Sequence, residues 1–546
     1  MDSPPPGTGA DPPPAYTSGP AAVPAAVDTS TSAPPPRRPF SFYASILVLM
    51  LLAALTSWDT TSIAIALPVI TSQLEEETIF SLWLSLAVIF GSVAFLPDFY
   101  LQSKIGLLSP KSLLYVSVLM YAIGSLTFAT AGISTILTVG RLLQGIGTSG
   151  LDVFRGVLLE TIISPEERPC YYHLIVLSQA VGTIAGPFMG AAFSEFLTWR
   201  MIGWVNLLFV GGALGLSFLA DLPPIQITLG GPDIRSDWLG LLFYDSGLFL
   251  LAVSLSIAGQ VVPWSSWQVL VSMAIGLALI FVFGIYEKWP AEPMMPYRIF
   301  SKGTTAAALI TGFAHGFVLY TLLVYQPLFF QAVFLQTPLQ AAISTLPLCC
   351  LFAVFSFLTP IIMGAIPRIG QILITVNWAL IVVAGALWCT ANQDTPWAEI
   401  YTLQAALGLS LGVIFGGTQF SIRASVSHAR DIGLAVSMLA VFELLGALFG
   451  LSLSSGLFGY IFEYGITLLR SLGPLPGDIE PLVGVRQAMG FIPTLRTLEL
   501  PNETMSKLIG VYSDAFLLVW LFGELFAFVG LAVSWFVMIA SEIKRH

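Results

Sequence analysis

Asp59 interrupts a long apolar run in the stretch Trp58-Asp59-Thr60-Thr61-Ser62, and Arg141 interrupts another in Arg141-Leu-Leu-Gln144-Gly145-Ile-Gly147. A charged side chain at the centre of a bilayer costs about 2.5–3.5 kcal/mol on insertion scales, so residues of this kind are retained for function or held by a partner. A carboxylate at Asp59 could take up and release a proton as access to the two sides of a membrane alternates. It could also be a structural group, hydrogen-bonded to the hydroxyls beside it or paired with an arginine. Asp152 and Arg155 follow Arg141 by 11 and 14 positions, which at 3.6 residues per turn returns to within about 40° of the same face. The three charges therefore form one stripe, which should face the protein interior or a water-filled cavity. Asp152 and Arg155 are three apart and can also pair with each other, so an ion pair and a proton relay are both open. Asp59, Arg141, Asp152 and Arg155 are the proton-coupling candidates.

A second group could line a substrate cavity: Gln144, His315, Tyr325 and Glu443. His315 titrates near neutral pH when unperturbed, although a lone helical histidine is also an ordinary packing residue. Glu443, in Phe442-Glu443-Leu-Leu-Gly446-Ala-Leu-Phe-Gly450, could meet a cationic substrate group, a proton or an arginine. Tyr325, like Trp83, Tyr320 and Phe329-Phe330, could stack on a planar ligand or belong to the core and the interfacial belts. Asp98, Asp245 and Glu524 are further acids in apolar runs. No phosphate-cradling loop, His-Glu-x-x-His or Gly-x-Ser-x-Gly is present, so neither a nucleotide-driven pump nor a membrane hydrolase is indicated. Cys170, Cys349, Cys350 and Cys389 lack ligand spacing and read as small core residues. No enzyme activity, metal or cofactor is expected.

Apolar helices must position these groups. The chain has 546 residues, is 56% hydrophobic and only 10% charged, with mean hydropathy +0.85; soluble domains carry roughly 25% charged residues. Repeated runs of about 20 apolar residues predict an all-α polytopic membrane protein. Fourteen runs are expected, the first at 43–70 and the last at 514–540. They read as an N-terminal six-helix half (43–221), two inserted helices (238–286) and a C-terminal six-helix half (304–540) with an extracellular loop at 464–513. One run contains Gly182-Thr-Ile-Ala-Gly186-Pro187-Phe-Met-Gly190. Residues four apart share a helical face, so this face is nearly bare and another backbone can press against it. Pro187 removes a backbone hydrogen bond and bends the helix there.

Loop charge suggests orientation. With the N-terminus in the cytoplasm, fourteen Lys and Arg fall inside and five outside; Arg141 and Arg155, within the fourth run, complete the 21. Such a bias fits the positive-inside rule and places both termini in the cytoplasm. Residues 1–39 are rich in Pro, Ala, Ser and Thr and read as a disordered cytoplasmic tail without the apolar core of a signal peptide. Asn502-Glu-Thr504 is a glycosylation sequon on the outer side. The net charge of −10 comes mostly from loops, and no basic patch points to nucleic acid.

Taken together, these motifs resemble the major facilitator superfamily in its fungal, fourteen-span drug:proton antiporter branch, over roughly residues 43–540. Arg141-Leu-Leu-Gln144-Gly145-Ile-Gly147 looks like the family's span 4 motif, and Gly182 to Gly190 like its antiporter signature in span 5. Trp58-Asp59-Thr60-Thr61 with Ala66-Leu67-Pro68 is similar to the span 1 signature. Trp199-Arg200 with Asn206, and Tyr325-Gln-Pro-Leu-Phe-Phe-Gln-Ala, also resemble the branch. The resemblance implies a major facilitator fold, a proton-coupled exporter of a small amphipathic drug, toxin or secondary metabolite, and a monomer in the plasma membrane. It implies that Asp59 is the membrane-embedded acid, that Arg141 takes part in proton coupling, and that Gly182, Gly186, Pro187 and Gly190 serve alternation. The chain departs from the family at Gln102–Lys111, where Ser103 and Leu107-Leu108 replace the usual acid and arginine pair, and at Glu443, where an arginine is usual. An iron-chelate or nutrient carrier, or a receptor that has lost coupling, would share the same fold.

Overall fold

The computed structural model describes residues 38–74, 78–164, 167–220, 222, 237–290, 292–300, 302–426, 431–471, 482 and 487–543. The expected tail therefore lies outside the described residues, apart from its last two positions. The chain is built from helices: α1 (Phe40–Leu74), α2 (Thr78–Lys104), α3 (Pro110–Thr130), α4 (Ser134–Ile162), α5 (Arg168–Phe196), α6 (Met201–Ser217), α7 (Trp238–Ile257), α8 (Trp267–Tyr286), α9 (Gly303–Ala332), α10 (Pro338–Ala365), α11 (Gly370–Trp388), α12 (Trp397–Ser425), α13 (Ile432–Ser471), the single turn α14 (Ile492–Leu495) and α15 (Asn502–Ile543). Among the described residues the only β-pairing is an isolated bridge between Ala258 and Val262.

Each of the fourteen apolar runs corresponds to one long helix. Twelve of the described helices are long and apolar enough to cross a membrane. The 17-residue α6 is shorter, and α4, which carries Arg141, Asp152, Arg155 and Glu160, falls outside that set. The expected 464–513 loop is narrower than its span assignment, because α13 continues to Ser471 and α15 begins at Asn502. Local signals explain several starts. Thr337 and Gln340 cap α10 reciprocally, with Pro338 in its first turn. Ser109 accepts from the Ser112 amide at the start of α3, again with a proline next in line.

The helix pairing repeats along the chain. α1 runs along α5, α4 along both α2 and α3, and α6 against α1 and α3; likewise α9 runs along α13, α12 along α10 and α11, and α15 against α9 and α11. α7 and α8 pack on each other, and α7 also touches α2 and α13. Contacts of α5 with α10, and of α2 with α13, join the two sets.

The bare face of α5 meets α1 on either side of Asp59. A Cβ at Gly182 would strike the Ala54 carbonyl oxygen, one at Gly186 the Thr61 hydroxyl and, at 2.8 Å, the Trp58 carbonyl oxygen, and one at Gly190 the Ser62 carbonyl oxygen. α4 wedges in the same manner: a Cβ at Gly145 would strike the Val88 carbonyl oxygen of α2, and one at Gly147 would come within 2.7 Å of Tyr121 on α3. With side chains removed from these faces, backbones approach closely and dispersion contacts take over. Gly190→Ala should therefore cost about 1–3 kcal/mol through overpacking and lower the unfolding temperature of the detergent-purified protein. Gly211→Ala, whose added Cβ meets open space, should leave it unchanged or slightly raised.

Candidate functional site

Arg141 is the centre of a buried polar network linking α1, α2, α3, α4 and α6. Its Nη1 donates to Asp59 Oδ2 at 2.6 Å and to Gln144 Oε1 at 2.7 Å, and its Nε donates to the Leu84 carbonyl at 3.1 Å. The two charged side chains are 1% and 3% exposed. The other Asp59 oxygen, Oδ1, accepts from Asn206 Nδ2 at 2.6 Å. The Trp58 indole N–H, which can only donate, reaches Asn206 Oδ1 at 2.9 Å and so fixes the amide with its NH2 toward Asp59. Gln144 is oriented the same way: its oxygen takes the arginine proton while its Nε2 donates to Ser125 Oγ at 2.9 Å, and that hydroxyl donates to the Tyr121 carbonyl. Both Asp59 oxygens thus accept from N–H donors, the pattern of an ionised carboxylate. Phe128 lies 5.9 Å from the guanidinium and closes one side.

The rest of the α4 stripe continues along α1. Asp152 and Arg155 pair with each other, and Arg155 Nη1 donates to Thr56 Oγ1 at 3.0 Å, one turn from Asp59. At the α6 end, Arg200 stacks 4.3 Å over the Trp199 ring and donates to the Ala131 carbonyl, while the Trp199 N–H donates to Gln73. These contacts anchor the helix that carries Asn206.

The second helix set holds a different pair. His315 on α9 is buried, with Nδ1 2.9 Å from Glu443 Oε1 on α13 and Nε2 3.1 Å from the Leu411 carbonyl on α12. Glycines bring the two helices together here: a Cβ at Gly316 would strike the Glu443 carbonyl oxygen, and one at Gly446 the Phe313 carbonyl oxygen. The four cavity candidates therefore fall in three places. His315 and Glu443 pair, Gln144 belongs to the Arg141 network, and Tyr325 is packed among the rings of Phe458 and Phe516. Asn502 is exposed at the start of α15.

Asn206, Trp58, Ser125 and Thr56 enter these networks without having been singled out as site residues. Asn206 carried the available signal, as the lone amide in the apolar α6. Where the departing segment begins, in the last turn of α2, Gln102 donates to Asp98, and Lys104 forms an exposed 3.1 Å pair with Glu292. Between the sets, Arg423 on α12 stacks 3.9 Å over Tyr172 on α5.

Residues 49–451 match the model of the Major Facilitator Superfamily. The MFS-type transporter sphD of Aspergillus fumigatus is 32% identical over 515 residues, covering 92% of this chain and 86% of its own. An efflux pump of Gibberella fujikuroi is 26% identical, covering 92% and 90%, and an MFS-type efflux pump of Mycosarcoma maydis 29%, covering 90% and 78%. Among solved structures, a bacterial homologue of the human lysosomal transporter Spinster superposes with a TM-score of 0.57 at 15% identity, over 90% of this chain and 96% of that one.

Removing one member of a buried ion pair leaves the other charge stranded, at a cost of about 3–5 kcal/mol. Arg141→Met and Asp59→Leu should each destabilise by about that much, and the double variant by less than their sum, read from unfolding in detergent. Strict additivity would mean that the two groups are not coupled.

Proposed function

The chain belongs to the Major Facilitator Superfamily, a family of membrane transporters, and from that premise we propose that it exports a small amphipathic organic compound in exchange for protons. The observation that carries this reading is the buried Arg141–Asp59 pair, set on the helix against which the α5 glycine face lies. The names of the fungal relatives as efflux pumps support the direction.

In this reading a proton arriving at Asp59 neutralises the carboxylate. Arg141 keeps its bonds to Gln144 and the Leu84 carbonyl, and α1 is free to shift along the glycine face of α5, bent by Pro187. Loss of the proton restores the ion pair. Arg155, tied to Thr56 on α1 and to Asp152, extends the polar path by a turn. The compound binds near the membrane mid-plane between two six-helix halves, with α7 and α8 as an inserted pair. His315 and Glu443 stand on the C-terminal wall of that cavity, with Gln144 behind Arg141 and Tyr325 in the aromatic packing beyond. The protein acts as a monomer in the plasma membrane with both termini in the cytoplasm, and the exposed Asn502 accepts glycan on the outer face.

A toxicant-sensitivity screen of a host lacking its own exporters, with and without this chain, identifies the compound. In proteoliposomes an imposed pH gradient should then drive its movement, and Asp59→Asn should reduce that movement at least tenfold while binding persists. Intact pH-driven transport in Asp59→Asn would remove Asp59 as the proton carrier. Accumulation of an iron chelate, or ligand binding without any transport, would point to a nutrient carrier or a receptor instead.

A further inference from the structure

We propose that His315 and Glu443 form a second proton-binding site in the C-terminal helix set, one that is filled in the same conformation in which Asp59 is empty. Nε2 of His315 faces a backbone carbonyl and Nδ1 faces a carboxyl group, 3.1 Å and 2.9 Å away. The Leu411 carbonyl can only accept, so Nε2 bears a hydrogen. The remaining contact, Nδ1 to Oε1, needs a hydrogen of its own. It is supplied either by a charged imidazole donating to a carboxylate or by a protonated carboxyl donating to a neutral ring. In both arrangements the pair holds one proton more than a neutral histidine beside a carboxylate.

Charge points the same way. With its proton the pair is neutral overall in either arrangement; without it, a single negative charge stands among apolar helices and two lone pairs face each other. The loaded state is therefore the one this close contact records. Asp59 is the reverse case, since both its oxygens already accept from Arg141 and Asn206, and a guanidinium does not release its proton.

Aromatic rings flank the pair. The rings of Phe352 on α10 and Phe415 on α12 lie 6.5 Å and 5.9 Å from the imidazole. Tyr320 on α9 lies near enough to feel the charges of Glu443 and of Asp152 on α4, whose partner is Arg155. Other acids stand on the helices that pack on α9 and α13. Asp98 on α2 binds Gln102 and neighbours Asp245 on α7, and Glu524 on α15 lies against Gly385. The glycine contacts hold the α9 and α13 backbones together, so emptying the site moves the Glu443 side chain, which is 13% exposed, and leaves the backbone contact in place. Exchange of this proton during transport rests on the antiport reading above; its presence on the pair does not.

The chain has four histidines. Replacing His173, His428 and His546 by Gln leaves His315 the only imidazole in the full chain, which is then labelled with nitrogen-15 and placed in lipid nanodiscs at neutral pH. The expected result is one of two signatures: two ring N–H groups on His315, or a single N–H at Nε2 together with the infrared band of a protonated carboxyl that Glu443→Gln removes. A neutral ring with no such band overturns the proposal, whichever nitrogen bears the single hydrogen. The ring state is read without Glu443→Gln, so a variant that fails to fold does not block the test. A filled pair in a protein that shows no pH-driven transport would sink the antiport reading and leave this site standing. An empty pair, with transport still abolished by Asp59→Asn, would do the opposite.

Discussion

A charge cannot be left alone in an apolar interior, and much of this architecture follows from that constraint. Arg141 has three acceptors, Asp59 has two donors, and the amides of Asn206 and Gln144 are each bonded through both ends. A half-satisfied network of this kind would be worse than an apolar core. Because the partners come from α1, α2, α3, α4 and α6, satisfying one guanidinium fixes the relative positions of five helices. The interaction that satisfies the Asp59 carboxylate is therefore also the one that holds the surrounding helices in register.

Glycine provides the complementary device. Polar networks pin helices at points, whereas bare faces let helices lie close without interlocking side chains. α5 against α1 and α13 against α9 use it in the same way, at corresponding places in the repeated pairing pattern. The titratable groups differ between the two contacts. Beside the first, an acid is matched with a permanently charged arginine; at the second, an acid is matched with histidine, whose charge depends on whether it holds a second ring proton. One frame thus carries a fixed counter-charge on one side and an adjustable one on the other.

The amino-acid sequence dictates where the helices run, because apolar runs of bilayer length between polar turns leave the backbone no other way to satisfy its hydrogen bonds. It also marked Asp59, Arg141, Asp152, Arg155, His315 and Glu443, since ionisable groups are conspicuous against such a background. It showed that α5 has a bare face, because helical periodicity is local and can be counted. It did not say what any face meets. Arg141 pairs with a residue 82 positions away and His315 with one 128 positions away. Tyr325, on the same helix as His315, turns instead into an aromatic cluster. Asn206 acquired its place only when α6 was laid against α1. Periodicity fixes the direction of a side chain about its own helix axis. The neighbour that stands there is set by long-range packing of many helices at once, which emerges only in the folded molecule.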